Sequence, residues 1–265
     1  MTNEAEAIAE LSTPEAYGIG TLVELTSIGI GRNAAGLMRV SEATGLNIVA
    51  GSSYYLDAAQ SDEVKAMTED QMVEQIVTDI TVGIDGTDIR AGVIGEVGVS
   101  WPIKPVEERA LAASVRAQQI TGAALSIHNP YYVPTAETLL EIAQRVEDLG
   151  ADMDRVIMGH RDGFTRDPKF LDIAVALGCY IQLDLFGQDG YEPEVDFTYP
   201  SVEVRIDAIQ AMVSNGLADR ILLSQDVGFR PACRPTADTD TPTSRARSCP
   251  GSSVADCART RLSRS

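Results

Sequence analysis

The chain has 265 residues, 44% hydrophobic and 23% charged, which suits one soluble globular domain with a sizeable core. Its formal net charge of −18 argues against a nucleic-acid or anionic-membrane partner, because either surface would repel it. No apolar run approaches the roughly 18 residues of a membrane span and no basic region precedes an apolar one at the N-terminus, so a cytoplasmic protein is expected.

Residues 2–11 read as a helix leading into the first of seven short apolar runs, at 21–25, 47–50, 91–97, 123–127, 155–158, 179–185 and 221–224. Most of these runs are continuous rather than alternating, the pattern of strands buried on both faces of a parallel sheet. The stretches between them carry helix signals. Thr135 is placed to cap a helix whose apolar stripe is Leu139, Ile142, Val146 and Leu149 before Gly150. Asp167 and Pro168 read as an N-cap and first-turn proline ahead of Phe170, Leu171, Ala174 and Leu177, with Gly178 as the stop. Ile206, Ile209 and Val213 repeat the spacing before Gly216.

Strand alternating with helix predicts an α/β fold, here a (β/α)8 TIM barrel. Seven strands are visible, one short of closure. They are expected to be strands two to eight of the barrel, the first being absent.

Residues 1–228 form the expected single barrel domain. From 229 to 265 the composition changes to seven arginines, no lysine and almost no large aliphatic side chains. Such a segment buries too little apolar surface to offset its ordering entropy. It is expected to be disordered, or not native family sequence, as a reading-frame error would produce; resequencing the coding DNA checks the second idea. Three of the four cysteines fall there, and Cys179 reads as a small core residue. No CxxC spacing points to a zinc site.

The chain has only two histidines, and both follow an apolar run. His128 follows Ala-Ala-Leu-Ser-Ile and His160 follows Arg-Val-Ile-Met-Gly, 32 residues apart. Glu96 lies another 32 residues before His128, and Asp226 lies 66 after His160, about two such periods. A period in the low thirties is one strand, one helix and two loops. That register sets all four residues at the rim where barrel strands end, the catalytic face of this fold. A lone strand-end histidine is more often structural than a ligand, but four such residues in one register outweigh that. Two imidazoles and two carboxylates suit zinc first, then manganese or iron. Tyr54, Tyr55, Trp101, Asn129, Tyr131 and Arg161, all just beyond strand ends, are candidates to line the substrate pocket, with ordinary loop packing as the alternative. Asp184 also lies near the rim and is a further candidate substrate contact.

Several strings resemble the phosphotriesterase-like branch of the amidohydrolase superfamily, in the right order. They are Thr-Ser-Ile-Gly-Ile-Gly-Arg-Asn at 26–33, Gly-Leu-Asn-Ile-Val-Ala-Gly-Ser-Ser-Tyr-Tyr at 45–55, Val-Ile-Gly-Glu-Val-Gly at 93–98, Ile-His-Asn-Pro at 127–130, Met-Gly-His-Arg-Asp at 158–162 and Leu-Leu-Ser-Gln-Asp at 222–226. The resemblance implies a metal-dependent hydrolase acting on an ester, lactone, amide or phosphoester bond through a metal-activated hydroxide. It also implies a small-molecule substrate and a homodimer. Glu96 would be the bridging carboxylate, where phosphotriesterases proper carry a carboxylated lysine, which places the chain nearer the phosphotriesterase-related proteins. His128 and His160 would hold the more exposed metal, and Asp226 would bind the buried one and accept a proton. The family's His-x-His pair is absent from the sequence. The expectation is therefore one metal on Glu96, His128 and His160 with an open position for water, against two in the complete centre. The competing expectation is a non-catalytic barrel remnant. A metal-free phosphate-binding barrel enzyme would leave the matched histidines unexplained.

Overall fold

The computed structural model describes residues 3–12, 18–132, 135–188 and 190–227. The segment 229–265 lies outside the described residues. Seven parallel strands form one curled sheet: β1 (Thr21–Glu24), β2 (Asn47–Ser52), β3 (Val93–Gly98), β4 (Ala124–His128), β5 (Val156–Met158), β6 (Tyr180–Leu183) and, last in the chain, β9 (Ile221–Leu223). They pair in chain order, β1 beside β2 and so on to β6 beside β9. Between β6 and β9 a short antiparallel hairpin of β7 (Tyr191–Glu192) and β8 (Phe197–Thr198) stands apart from the main sheet.

Every pair of neighbouring parallel strands is joined by helix, as parallel pairing requires. α1 (Glu4–Leu11) precedes the sheet. α2 (Ala34–Thr44), α3 (Asp62–Ala66) with α4 (Glu69–Thr81), α5 (Pro105–Thr121), α6 (Ala136–Asp148), α7 (Phe170–Leu177) and α8 (Val202–Ser214) make the successive crossovers. This is the expected (β/α) barrel architecture. β1 and β9 each pair on one side only, and no eighth parallel strand occurs among the described residues.

The core lies between sheet and helices. Ile94, Leu125, Ile127, Val156 and Met158 from the strands meet Leu111, Val115, Leu139, Ile142 and Ile173 from the helices, all buried. Each such side chain contributes roughly 1.5–3 kcal/mol of hydrophobic stabilisation. The central strands are buried on both faces, as their continuous apolar runs predict, whereas edge strand β1 is exposed or half-buried throughout. Cys179 is buried in this core, and burial pushes its thiol up to about 11.

Helix boundaries follow the expected signals with one correction. Thr135 stands at the N-cap position of α6, though its hydroxyl meets Thr138 Oγ1 at 3.2 Å rather than a backbone amide, and Gly150, Gly178 and Gly216 all take the left-handed conformation after their helices. α7, however, starts at Phe170 rather than after Asp167. The Asp167 side chain accepts a hydrogen bond from the Lys169 amide at 2.8 Å, so it closes a local turn two residues early instead of capping the helix.

Candidate metal centre

Each crossover returns the chain to the same end of the sheet, so residues one period apart meet there. His128 is the last residue of β4, and His160 follows β5 by two residues. Glu96 sits inside β3, at a break in register. Ile94 pairs with Leu125 but Val97 pairs with Ile127, so β3 carries one extra residue across that interval. A bulge of this kind re-aims a side chain. The Glu96 amide leaves the β4 side and donates to the Leu25 carbonyl at 3.0 Å, while its own carbonyl accepts from Ser27 Oγ at 2.6 Å.

Gly95 makes the bulge feasible. It has φ of +142°, and a Cβ there would stand 2.7 Å from the Ser126 carbonyl oxygen. Gly95→Ala should therefore destabilise the fold by about 1–3 kcal/mol through forced backbone strain, and should displace Glu96. Equilibrium denaturation checks the first effect and a crystal structure of the variant the second; a variant with wild-type stability and an unmoved Glu96 would contradict this account of the bulge.

Glu96 Oε1 lies 3.0 Å from His128 Nδ1 and 3.0 Å from His160 Nε2, and the two ring nitrogens are 2.6 Å apart. One donor atom from each residue falls within 4.8 Å of the others, and this is the only such group of three or more among the described residues. His160 is 2% exposed and His128 7%. Two imidazole nitrogens this close, facing one carboxylate oxygen in a buried site, repel each other unless a proton or a cation lies between them.

The charges point the same way. Burial works to raise the Glu96 carboxyl, but hydrogen bonds from both histidines overcome it and hold the group below the usual carboxylate range. Burial lowers His128, and the neighbouring His160 charge adds to the fall. Burial also opposes charge on His160, but Asp184 and Glu96 outweigh it and raise His160 well above the ordinary histidine value. The triad thus favours one positive charge at its centre, and a nitrogen/oxygen donor set of this kind fits a zinc-like cation.

Asp184 is placed differently from its expected role. It is 4% exposed and bonded to His160, where it cannot reach a substrate from the rim. Its Oδ1 accepts from His160 Nδ1 at 2.9 Å, and both its oxygens lie 3.1 Å from the His160 amide.

Asp226 lies past β9 and outside the three-residue group. It is exposed to solvent and has φ of +45°. Surrounding atoms push its carboxyl up and His160 pulls it down, but the charges of Glu96 and Asp184 add to the rise. The structure brings Asp226 into electrostatic reach of the triad without making it a fourth converging donor.

The six candidate pocket residues divide. Tyr55 and Tyr131 flank the histidines. Tyr55 Oη is 3.3 Å from both His128 ring nitrogens, and the Tyr131 ring stands edge-on to His160 at 5.9 Å between centroids. Trp101 is half-buried and packs against the main core. Tyr54 is 1% exposed, with its hydroxyl toward Met67 sulfur. Asn129 is wholly buried and donates to the Ile127 and Gly159 carbonyls. Arg161 is also buried, its Nε on the Gly159 carbonyl and its guanidinium over Phe164. These last three side chains are buried.

The hairpin of β7 and β8 lies outside the elements expected from the sequence. Glu192 on β7 accepts from both the Tyr131 and Tyr199 hydroxyls, at 3.1 and 2.6 Å, and Phe197 on β8 packs edge-on to Tyr131. Together they hold Tyr131 beside His160. The aromatic residues of 191–199 were the available signal.

A model of the phosphotriesterase family matches residues 2–239. The chain is 42% identical to an N-acetyltaurine hydrolase from Dictyostelium discoideum, covering 85% of this chain and 61% of that protein. Among solved structures, a resiniferatoxin-binding protein from Rhodobacter sphaeroides aligns with a TM-score of 0.80 at 34% identity, over 85% of this chain and 62% of that one. A phosphotriesterase homology protein from Escherichia coli, with phosphate in its active site, aligns with a TM-score of 0.75 at 31% identity, over 87% of this chain and 76% of that one. The chain thus spans about three-fifths of the length of the Dictyostelium relative.

Proposed function

The chain belongs to the phosphotriesterase family, and from that premise we propose that it is a metal-dependent hydrolase of small molecules. The bond cleaved is in the first place the amide of a small N-acylated amine, the bond implied by the name of the Dictyostelium relative. Ester, lactone and phosphoester bonds are the other members of the same reaction class, since the fold does not choose among them. The observation that carries the reading is the convergence of Glu96 Oε1, His128 Nδ1 and His160 Nε2 in a buried cluster.

These three residues would hold one divalent cation, zinc before manganese or iron. Such an ion supplies Lewis acidity and lowers the pKa of water toward about 7. The residues of the chain do the rest. Glu96 brings negative charge that offsets the cation. Asp226, just outside the triad with its carboxyl raised, takes up the proton released in the attack and returns it to the leaving group. Tyr55 places a hydroxyl beside His128, where it can donate to a substrate oxygen, and burial with nearby negative charge keeps that phenol protonated. Tyr131 forms an aromatic wall on the His160 side.

The test is metal content by elemental mass spectrometry on protein purified without chelator, followed by a hydrolysis panel of N-acetylated amines, lactones, esters and phosphoesters. About one equivalent of metal with metal-dependent turnover is the expected result. A chain that takes up no metal on reconstitution and hydrolyses nothing in the panel would replace this reading with the barrel remnant.

A further inference from the structure

Asp184 is a buried ionisable group beside the triad with no role in the mechanism proposed above. Its side-chain hydrogen bonds all go to one residue. Its Oδ1 takes the His160 ring Nδ1 at 2.9 Å, and the His160 amide lies 3.1 Å from both of its oxygens. His160 needs that grip because its backbone is in the left-handed region, at φ of +56°, a conformation costing a non-glycine residue roughly 1–3 kcal/mol. Gly159 leaves space for this carboxylate, since a Cβ there would stand 3.3 Å from Asp184 Oδ2.

Asp184 is itself held from behind. Its backbone amide donates to Asp162 Oδ2 at 2.8 Å, and the next amide, of Leu185, donates to the same oxygen at 3.3 Å. Asp162 Oδ1 then forms an ion pair at 2.8 Å with Arg205 of α8, and both side chains are fully buried. A chain of fixed contacts therefore runs from α8 through Asp162 and Asp184 to His160 Nε2 at the centre of the triad.

We infer that Asp184 is a positioning residue: by accepting the Nδ1 proton of His160 it fixes the ring so that Nε2 presents its lone pair toward Glu96 and His128. A carboxylate on the far nitrogen of a ligating imidazole both selects the tautomer and raises the basicity of the other nitrogen, and losing such a partner typically costs about 10–100-fold in metal affinity. The inference rests on the reading of the triad as a metal site.

The test pairs Asp184→Ala with Asp184→Asn, the second keeping size and an acceptor oxygen where the first fails to fold. Zinc affinity is measured by competition with a chelating dye, and the His160 ring by 15N-edited imidazole spectra of metal-free protein. The expected result is a loss of about 100-fold for alanine and about 10-fold for asparagine, with the hydrogen-bonded Nδ1–H signal of His160 lost or shifted in both. Wild-type zinc affinity in both variants would overturn the inference, even with lowered thermal stability, since a structural role alone produces that pattern. If the wild-type chain takes up no zinc, the metal-site reading fails by itself, and the imidazole spectra decide the inference: an Nδ1–H signal unchanged by either substitution overturns it.

Discussion

Replacing His160 by alanine should reduce bound metal from about one equivalent to near zero and abolish turnover, and replacing His128 should do the same. Each histidine supplies one of only three converging donors among the described residues, so losing either leaves two, below what holds a zinc ion in a catalytic site. Asp226→Asn should behave in the opposite way. Asp226 stands outside the converging group, so the variant should keep its metal while turnover falls by about 10²–10⁴-fold, the range of a lost general acid–base group. Metal stoichiometry and kcat measured on the same preparations separate the two classes. A His160→Ala protein that retains full metal would refute the site. An Asp226→Asn protein that loses its metal would instead make Asp226 a ligand, as the family resemblance implies.

The contrast between Glu96 and Asp226 shows what the sequence could convey. All seven parallel strands fall on the apolar runs, and the central ones do so because strands buried on both faces must be continuously apolar. The rim positions of His128 and His160 follow from where those runs stop. Glu96 is harder, because it belongs to a bulge rather than a strand end; the one hint is Gly95 inside an otherwise β-branched run. Asp226 has the right period and lies at the rim, but it stands three residues past the end of β9, and period alone does not set where such a residue aims. Tyr54 and Tyr55 illustrate a further limit. Adjacent residues in extended backbone point to opposite faces, so only one of the two can face the histidines, and burial by the core claims Tyr54. The hairpin of β7 and β8 was not legible because two residues per strand are too few to show a period. Nor could the partner of His160 be read: Asp184 lies near the rim in sequence, and only the folded chain shows its carboxylate against His160 Nδ1.

Arg205→Met should cost roughly 3–5 kcal/mol of stability, the penalty for stranding one member of a buried ion pair. Its Nε lies 2.8 Å from Asp162 Oδ1, both side chains are fully buried, and its guanidinium also bonds the Gln188 carbonyl and covers the Phe186 ring. Methionine replaces much of the volume but leaves Asp162 unpartnered in the interior, where burial already raises its carboxyl to about 6, so it must either stay charged without its cation or take up a proton. Asp162 cannot simply be made apolar to compensate, because its Oδ2 accepts from the Asp184 and Leu185 amides. The double variant Asp162→Asn with Arg205→Met is therefore the informative one. Asparagine keeps an acceptor for those amides and removes the stranded charge, so the pair should recover a large part of the loss. At about 2–4 °C per kcal/mol for a domain of this size, the single variant should melt roughly 10 °C below the wild type and the double variant clearly above the single. Urea denaturation and thermal melts of both proteins check this, and a single variant within about 1 kcal/mol of the wild type would contradict it. Because Asp162 carries the backbone of Asp184, the same variants also report on the site: zinc affinity should fall in the single variant and return in the double, so fold stability and metal binding share this buried link.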